Sequence, residues 1–368
     1  MKRKILIVNK NLWSFENFRY ELTKQLSKNG FEVINIYGGN NIPKKKKIEN
    51  VTYKNINLSQ RAFDIFGDLK YLITIYKFIK KTKPDIIHAF NPKPVLLTSL
   101  ILLFNKKITY FITITGLGHS YLTKNKLIKF ITNFLYFFSF KRSDFIFFQN
   151  KDDLNFFRKK NFLKKKKYHI SPGFGVTIPK KIPIKKIGKK IRFGFTSRIT
   201  QEKGIIEFIN AIKLLKKENR YYSKCIFYIV KNFDKNSVVG IKEKFLNKIT
   251  KDLNIRFIKF ENNVHKIYQK FDVLIFPSYR EGASKTIMEA CSFGILVACS
   301  NVPGCNNLIK NQKNGFLFKS RSSVEIYKIM KFLLDNKNQI NKISLSSKRI
   351  AHLNFDEKKI IKDIIKFY

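Results

Sequence analysis

A regular alternation of short apolar runs with segments of helical periodicity constrains the fold more than any other feature of the chain. In the first half, the runs have the length and composition of buried strands and lie at residues 5–8, 33–36, 86–88, 108–115, 145–149 and 168–170. Segments whose apolar residues recur with a 3.6-residue period, such as 18–29 and 64–82, separate several of them. Strands that are apolar on both faces and separated by helices pair in parallel. The first half therefore predicts a doubly wound parallel sheet.

The second half repeats this alternation after a break. Its predicted strands lie at residues 192–196, 226–230, 256–258, 273–276, 296–299 and 315–318. Glycine, proline and lysine displace the periodic pattern at residues 171–190, SPGFGVTIPKKIPIKKIGKK. A chain of 368 residues is long enough for two domains of about 150 to 200 residues each. We predict an α/β protein with two doubly wound Rossmann-like domains, 1–172 and 173–355, and a final helix, 356–368, that can cross back to the first domain.

The net charge is the unusual feature of the composition. Lysine and arginine number 74 against 25 acidic residues, which gives a formal net charge of +49. Such a field attracts nucleic acid, anionic lipid or anionic nucleotides. The joint abundance of Lys, Asn, Ile, Phe and Tyr is also typical of proteins from AT-rich genomes, which would account for much of the excess. The four cysteines lack C-x-x-C spacing, and we expect a reducing, cytoplasmic environment.

The stretch SYREGASKTIMEA, residues 278–290, carries the first candidate site. It follows a predicted strand, and Ser284 is placed to cap a helix. Helix N-termini carry unpaired N–H groups, so the small residues around Gly282 and Ala283 can cradle phosphate oxygens at the carboxyl end of a strand. Glu289 can accept hydrogen bonds from a ribose diol, and Glu281 from the hydroxyls of a sugar. In isolation, two such glutamates are more often ordinary surface or first-turn acids.

A second loop supplies two cations. In FGFTSRITQEKG, residues 193–204, another predicted strand runs into Arg198 and Lys203 ahead of a predicted helix at 205–216. Two cations that face an amide-lined loop can clamp a pyrophosphate. A single Arg or Lys in a chain this basic is more often a solvated charge, and only the position at a strand-to-helix junction distinguishes these two.

Taken together, these motifs resemble a known family. They are PDIIHAFNPKP (84–94), TGLG (115–118), SRITQEKG (197–204), FPSYREGASKTIMEA (276–290), VPGC (302–305) and NGFLF (314–318). The chain resembles the family 4 retaining glycosyltransferases, in the branch that builds bacterial capsule, O-antigen and lipid-linked oligosaccharides. The resemblance implies the GT-B fold, in which two Rossmann-like domains face a central cleft.

The resemblance also implies roles for particular residues. Arg198 and Lys203 match the basic pair that holds the donor pyrophosphate, Glu281 matches the glutamate that contacts the donor sugar, and Glu289 matches the one that binds the ribose. The backbone that contacts the donor corresponds to Gly282, Ala283, Ser284, Lys285 and Thr286. On the acceptor side, the candidates are Lys93, Gly116, Gly118 and His119. Many relatives have a histidine where this chain has Gly116–Gly118, and whether His119 replaces it stays open.

The expected reaction moves a hexose or N-acetylhexosamine from a nucleotide-sugar, UDP-linked by preference, to a lipid-linked or polysaccharide acceptor with retention of configuration. Since the sequence has no Asp pair at D-x-D spacing, we expect the cationic side chains to act without a metal cofactor. A UDP-sugar 2-epimerase of the same architecture is an alternative that needs no acceptor. A basic nucleic-acid-binding protein is a second alternative, but the sequence has no recognised nucleic-acid-binding module, and we expect no nucleic-acid partner.

Two apolar stretches, 95–104 and 127–140, are shorter than the roughly 20 residues that a helix needs to cross a bilayer. The second is flanked or interrupted by basic residues, namely Lys124, Lys126, Lys129, Lys141 and Arg142. It is either an interfacial helix that attracts anionic lipid or an ordinary buried helix. We therefore expect a cytoplasmic protein with peripheral contact at the inner face of the membrane.

Overall fold

A computed structural model describes residues 2–39, 45, 47–59, 64–118, 125–179, 186–233, 240–261 and 263–368. The chain divides into two compact units. The N-terminal unit comprises Met1–Phe174 together with Lys359–Tyr368, and the C-terminal unit comprises Gly175–Lys358. The last residues of the chain thus belong to the unit that contains the first ones.

The N-terminal unit is built on a parallel sheet, seven-stranded in its described part, with the strand order β3-β2-β1-β4-β5-β6-β7. Its strands are β1 (Lys4–Asn9), β2 (Glu32–Tyr37), β3 (Val51–Asn55), β4 (Ile86–Phe90), β5 (Thr109–Ile114), β6 (Phe145–Phe148) and β7 (Lys167–Ile170). All residues of β4 are buried. Burial on both faces explains why the central strands are continuous apolar runs.

Helices cover both faces of this sheet. The helices are α1 (Leu12–Phe18), α2 (Tyr20–Lys28), α3 (Ile65–Thr82), α4 (Pro92–Leu102), α5 (Lys126–Arg142), α6 (Lys151–Lys159) and, from the end of the chain, α14 (Glu357–Ile365). One core cluster joins α3, α4, α5 and α6 to the sheet. A second cluster on the other face joins α2 to Ile360, Ile361 and Ile364 of α14. The final segment therefore completes the hydrophobic core of the N-terminal unit.

The C-terminal unit has a parallel sheet of six strands in its described part, in the order β10-β9-β8-β11-β12-β13. Its strands are β8 (Ile191–Phe195), β9 (Cys225–Lys231), β10 (Ile255–Lys259), β11 (Val273–Phe276), β12 (Leu296–Ser300) and β13 (Phe316–Phe318). Its helices are α7 (Ile205–Lys216), α8 (Asn219–Tyr222), α9 (Glu243–Thr250), α10 (Val264–Tyr268), α11 (Lys285–Ser292), α12 (Ser323–Asp335) and α13 (Lys337–Asn354). Because β8 and β11 are neighbours, the loops that follow them lie side by side.

The prediction of two doubly wound parallel sheets is confirmed, and each predicted strand has its counterpart. The sequence missed β3, because VTYKN is polar and mostly exposed at the edge of the sheet. None of the helices in the described ranges combines the length and the hydropathy that spanning a bilayer requires.

Candidate active site

The candidate donor site begins where β11 ends. Residues 277–284 form a loop, and α11 starts at Lys285 with Ser284 as its N-cap. The Ser284 side-chain oxygen accepts a hydrogen bond of 3.3 Å from the backbone N–H of Ile287, which satisfies one of the unpaired donors of the first turn. The predicted cap and helix start are therefore found as expected.

A second backbone segment holds this loop in place. The N–H of Glu281 donates to the carbonyl oxygen of Pro303 at 3.1 Å, and the N–H of Ser284 donates to that of Gly304 at 3.3 Å. Gly304 has a φ of +77°, and a Cβ atom there would lie 2.5 Å from the carbonyl oxygen of Glu281. Only glycine allows this approach, since backbone atoms cannot move aside as a flexible side chain can. The turn in VPGC thus fixes the position of Glu281.

The loop after β8 meets the loop after β11. It contains a short 3₁₀ helix, Gln201–Lys203, and then Gly204 with a φ of +74°. A Cβ atom on Gly204 would lie 2.1 Å from the carbonyl oxygen of Pro277, and the N–H of Tyr279 donates to the carbonyl oxygen of Glu202 at 2.9 Å. The Tyr279 hydroxyl also donates to Glu207 at 2.6 Å. Backbone contact between the loops brings Lys203 towards Glu281.

Lys203 and Glu281 form an ion pair at the junction of these loops. The Lys203 Nζ lies 2.6 Å from the Glu281 Oε1, and the two side chains are 14% and 15% exposed. Arg198 comes from the same loop as Lys203, but its side chain is 45% exposed and its Nη2 lies 3.8 Å from the Glu202 Oε1. The structure therefore brings together one predicted cation and the predicted sugar-binding carboxylate, while the second cation lies closer to solvent.

Glu289 lies one turn into α11 and is largely buried. Its Oε1 lies 3.6 Å from the Nζ of Lys285, and its Oε2 lies 3.3 Å from the hydroxyl of Tyr268. Burial raises the pKa of Glu289 above its ordinary value, and the charge of Lys285 opposes that rise. The Tyr268 hydroxyl also lies 3.1 Å from the carbonyl oxygen of Thr286. Lys285 and Thr286 thus take part in fixing the Glu289 carboxylate as well as the helix start.

Sequence reasoning missed Tyr268. It is the last residue of α10, and its hydroxyl contacts α11, which follows α10 in the chain after β11. Burial and the adjacent Glu289 raise the pKa of its hydroxyl well above the ordinary range, so it stays a hydrogen-bond donor. The sequence signal is weak, since a tyrosine in an amphipathic helix reads as a packing residue.

The candidate acceptor-side residues lie at the carboxyl edge of the N-terminal sheet. Gly116 and Gly118 follow β5 with φ values of 109° and 81°, and a Cβ atom on Gly118 would lie 2.9 Å from the Cγ of Pro92. Lys93, at the start of α4, has its Nζ 2.6 Å from Asp68 and 3.2 Å from the carbonyl oxygen of Ser59. His119 lies outside the described residues. The two glycines and Lys93 therefore share one edge of the sheet.

Asn91 also lies at this edge, and the sequence analysis did not single it out. It follows β4 with a φ of 71° and a ψ of 151°, a conformation that is nearly restricted to glycine and costs about 1–3 kcal/mol. Its Nδ2 donates to the Thr115 hydroxyl at 3.2 Å, whereas its Oδ1 is buried without a hydrogen-bond partner. Strain and an unpaired acceptor at the end of a central strand are typical of a ligand-binding position.

No group of three or more His, Cys, Asp or Glu side chains with the geometry to hold a metal ion occurs among the residues that the structure describes.

Comparisons with known proteins cover nearly the whole chain. The family model described as Glycosyl transferases group 1 matches residues 177–349, and the one described as Glycosyl transferase 4-like matches residues 4–150. A relative from Campylobacter jejuni, N,N'-diacetylbacillosaminyl-diphospho-undecaprenol alpha-1,3-N-acetylgalactosaminyltransferase, is 25% identical over 371 residues that cover 96% of this chain and 95% of the relative. A relative from Escherichia coli, UDP-Gal:alpha-D-GlcNAc-diphosphoundecaprenol alpha-1,3-galactosyltransferase, is 27% identical over 270 residues, 70% of this chain and 68% of the relative.

A solved structure extends the comparison to the fold. Sucrose-phosphate synthase from Thermosynechococcus elongatus matches with a TM-score of 0.80 at 13% sequence identity, and the match covers 100% of this chain and 98% of that one. The predicted GT-B fold is confirmed by this likeness.

Proposed function

The chain belongs to the group 1, family 4-type glycosyltransferases, and we propose that it transfers a sugar from a nucleotide-sugar donor to a lipid-linked acceptor with retention of configuration. The relatives from C. jejuni and E. coli are both named for acceptors in which a sugar is linked through a diphosphate to undecaprenol. Since the first of them matches along almost the full length of both chains, the same class of acceptor is the best-supported one here. Both are transferases, so the comparisons do not favour a UDP-sugar 2-epimerase.

The Lys203–Glu281 ion pair is the observation that carries this proposal. A donor diphosphate placed at the start of α11 competes with Glu281 for the Lys203 ammonium. The exchange gives Lys203 a phosphate partner and leaves the Glu281 carboxylate to accept hydrogen bonds from the hydroxyls of the donor sugar. Lys203 and Glu281 are therefore paired with each other before the donor binds, and each of them contacts the donor afterwards.

The chemistry needs these charges where they lie. Breaking the bond between the anomeric carbon and the diphosphate oxygen leaves positive charge on the sugar and negative charge on the phosphate. Lys203, the more exposed Arg198 and the first-turn amides of α11 stabilise that negative charge. In our proposal the leaving phosphate accepts the proton of the acceptor hydroxyl on the face from which it departs, so the new glycosidic bond keeps the original configuration. The cations take the place of a metal ion, and we propose that none is needed.

Glu289 suits the nucleoside. A carboxylate held between Lys285 and Tyr268 has a fixed orientation, and a ribose diol presents two hydroxyl donors to it. Burial around Glu289 makes these hydrogen bonds stronger than they would be in water. We propose that Glu289 contributes to donor affinity rather than to the bond-breaking step.

We propose that the acceptor is bound at the carboxyl edge of the N-terminal sheet, near Lys93, Gly116 and Gly118. An acceptor with a long polyprenyl tail resides in a membrane, so the protein meets it at the cytoplasmic face through peripheral contact with anionic lipid. The net charge of +49 favours such contact. Nucleic acid is not a proposed partner.

The test is an assay of UDP-sugars with and without a short-chain polyprenyl-diphosphate-linked sugar, in the presence and absence of EDTA. We expect turnover only with acceptor, a product larger by one sugar in mass spectrometry, unchanged activity in EDTA, and a retained anomeric configuration by NMR. Isomerisation of the UDP-sugar without acceptor would establish the epimerase instead. Salt-sensitive oligonucleotide binding without turnover would establish the nucleic-acid-binding alternative.

A further inference from the structure

Helix α3 presents an apolar face to solvent. Its buried side consists of Tyr71, Ile75 and Ile79, so the opposite side of an ordinary surface helix would be polar. Here that side carries large exposed apolar residues, namely Ile65, Phe66, Leu69, Ile73 and Tyr76. Phe66 is 86% exposed. These residues recur every three to four positions and form a continuous stripe along the helix.

Helix α5 has the same property. Its buried side includes Tyr136 and Phe140, and its exposed side carries Leu127, Phe130, Ile131, Phe134 and Phe137. The prediction for residues 127–140 left open whether they form an interfacial or a buried helix, and α5 is buried along one side and apolar along the exposed side as well. The stripe on α3 was not anticipated, because apolar residues on all sides of a helix conceal which of them face solvent.

The two stripes belong to one face of the N-terminal unit. Helices α3 and α5 both pack against α4, and all three cover the same face of the sheet. In a parallel sheet, a connecting helix starts near the carboxyl end of the preceding strand. The N-terminal halves of α3 and α5, where Phe66 and Phe130 lie, are therefore nearest the edge that carries Asn91 and Gly118. We call the exposed residues of α3 and α5 the α3/α5 surface.

Lysines accompany the apolar residues. Exposed lysines on the two helices are Lys70, Lys77, Lys80, Lys81, Lys126 and Lys141. The sequence of α5 contains no acid, and the acid within α3, Asp68, is paired with Lys93. Arg142 is a correction to the predicted basic set: it is buried, and its guanidinium donates to the carbonyl oxygens of Leu102, Asn105 and Ile108. The surface is positive without it.

We propose that the α3/α5 surface is seated on an anionic lipid bilayer, a partner that deepens the proposed function and rests on it. Aromatic and aliphatic side chains enter the boundary between head groups and acyl chains, while lysines at the same level meet lipid phosphates. A second copy of the chain fits less well, since pairing two such surfaces would place lysines against lysines. Seating on this surface brings the carboxyl edge of the N-terminal sheet near the depth at which the diphosphate of a lipid-linked acceptor lies.

The test is flotation of the full-length protein with vesicles of phosphatidylcholine alone or mixed with phosphatidylglycerol. We expect wild-type protein to float with the mixed vesicles, to lose binding in high salt, and to bind phosphatidylcholine at least tenfold more weakly. Phe66→Ser/Phe130→Ser should lower binding to mixed vesicles at least tenfold. The matched control is Phe104→Ser/Leu353→Ser, which removes exposed apolar residues outside the surface and should float as wild type does. Lys70→Glu/Lys77→Glu/Lys126→Glu should abolish the preference for phosphatidylglycerol.

The proposal is overturned if wild-type protein does not float, if Phe66→Ser/Phe130→Ser floats equally well, or if the control loses binding to the same extent. It is also overturned if light scattering shows a dimer that this double variant converts to a monomer without any change in flotation. Transfer to a water-soluble, short-chain acceptor should be unchanged in the variants, which keeps the two proposals apart. Failure of that transfer in every protein, with flotation intact, would count against the proposed function alone.

Discussion

The carboxyl edges of the two sheets are built from the same kind of loop, yet they are held differently. In the C-terminal unit, charges are paired and backbones are in close contact, as with Lys203–Glu281 and Gly304 against Glu281. In the N-terminal unit, Lys93 is also paired, with Asp68 at 2.6 Å, but the edge beside it consists of glycine turns and a strained Asn91 with an unpaired Oδ1. A compact, highly charged diphosphate requires a rigid frame. Under the function proposed above, the first edge receives the diphosphate and the second receives the acceptor.

Two arginines, Arg192 and Arg19, also differ between the units in how their charge is compensated. Arg192 of the C-terminal unit makes a bidentate pair with Asp272, with Nε–Oδ2 and Nη2–Oδ1 distances of 3.0 and 2.7 Å. Arg19 of the N-terminal unit is 2% exposed and lies over the rings of Phe18, Phe90 and Phe174. Its Nη1 donates to the Ser14 carbonyl oxygen at 3.4 Å, and no acidic side chain among the described residues forms a salt bridge with it. Burial lowers the pKa of Arg19 to about 9. The buried Asp272 is thus compensated by an opposite charge, whereas the buried Arg19 is surrounded by aromatic rings.

The largest effect should follow from removing the cation of the paired edge. Lys203→Ala should lower kcat/KM for transfer by about 10²–10³-fold, or about 2.7–4 kcal/mol, because a contact that strengthens as the diphosphate departs is lost. Lys93→Ala at the other edge should cost no more than about tenfold in kcat/KM, because our proposal places Lys93 beside the acceptor and not against the departing diphosphate. Steady-state kinetics on both variants measure this contrast, and equal losses would remove the distinction between the two edges.

The two arginines provide the next contrast, in stability. Arg192→Met should destabilise the C-terminal unit by about 3 kcal/mol, because Asp272 is left buried without its counter-charge. Arg19→Met should change the stability of the N-terminal unit by less than about 1 kcal/mol. An apolar side chain of similar length replaces the guanidinium, and the substitution leaves no buried acid without a counter-charge. Hydrogen exchange at the amides of β8 and β1 reports each unit separately. A large loss from Arg19→Met would show that its contacts with the rings are a major source of stability.

The sequence located the candidate residues of the C-terminal unit better than the features of the N-terminal edge, for a physical reason. Glu281, Ser284 and Glu289 lie on one loop and one helix, so local rules of capping and helix geometry locate them together. Tyr268 was missed, and the contact of Gly304 was not foreseen although VPGC was quoted as a motif, because both contacts join segments that are distant in the sequence. The sequence alone does not show which distant segments come within hydrogen-bonding distance of each other in the fold.

On the N-terminal side, the strands were predictable because burial on both faces leaves a continuous apolar run, as in β4. The exception, β3, is an edge strand whose polar residues match no buried pattern. Asn91 was not predictable, because a strained backbone is imposed by the surrounding fold. The exposed faces of α3 and α5 were hidden for the opposite reason: a helix that is apolar all round does not reveal which side meets the sheet.

Glycine-to-alanine changes should sharpen the comparison of how the edges are held. Gly304→Ala should cost about 2 to 3 kcal/mol, because its Cβ would meet backbone atoms in addition to the strain of a positive φ. Gly118→Ala should cost less, since its Cβ would meet the ring of Pro92. Gly30→Ala is the control, with a φ of +87° and nothing within 4 Å, and should cost about 1–2 kcal/mol. Denaturation and hydrogen exchange measure the series, and equal costs would show that the close approach at Gly304 adds nothing.

The smallest effects concern pH, and they should run in opposite directions in the two units. In the C-terminal unit, burial raises the pKa of Glu289 above its ordinary value of 4.5. Between 4.5 and the raised pKa the unfolded chain ionises while the folded one keeps its proton, so this group's stabilisation is complete below pH 4.5 and declines as the pH rises.

In the N-terminal unit, burial and the charge of Arg19 lower the pKa of His88 well below 6.5. There the stabilisation is complete above pH 6.5 and declines as the pH falls, because only the unfolded chain takes up the proton. Glu289→Gln should flatten the first dependence and His88→Gln the second, each measured by hydrogen exchange at β11 and β4. Slopes of the same sign in both units would contradict the assignment of burial as the common cause, since burial favours the neutral form of an acid and of a base alike.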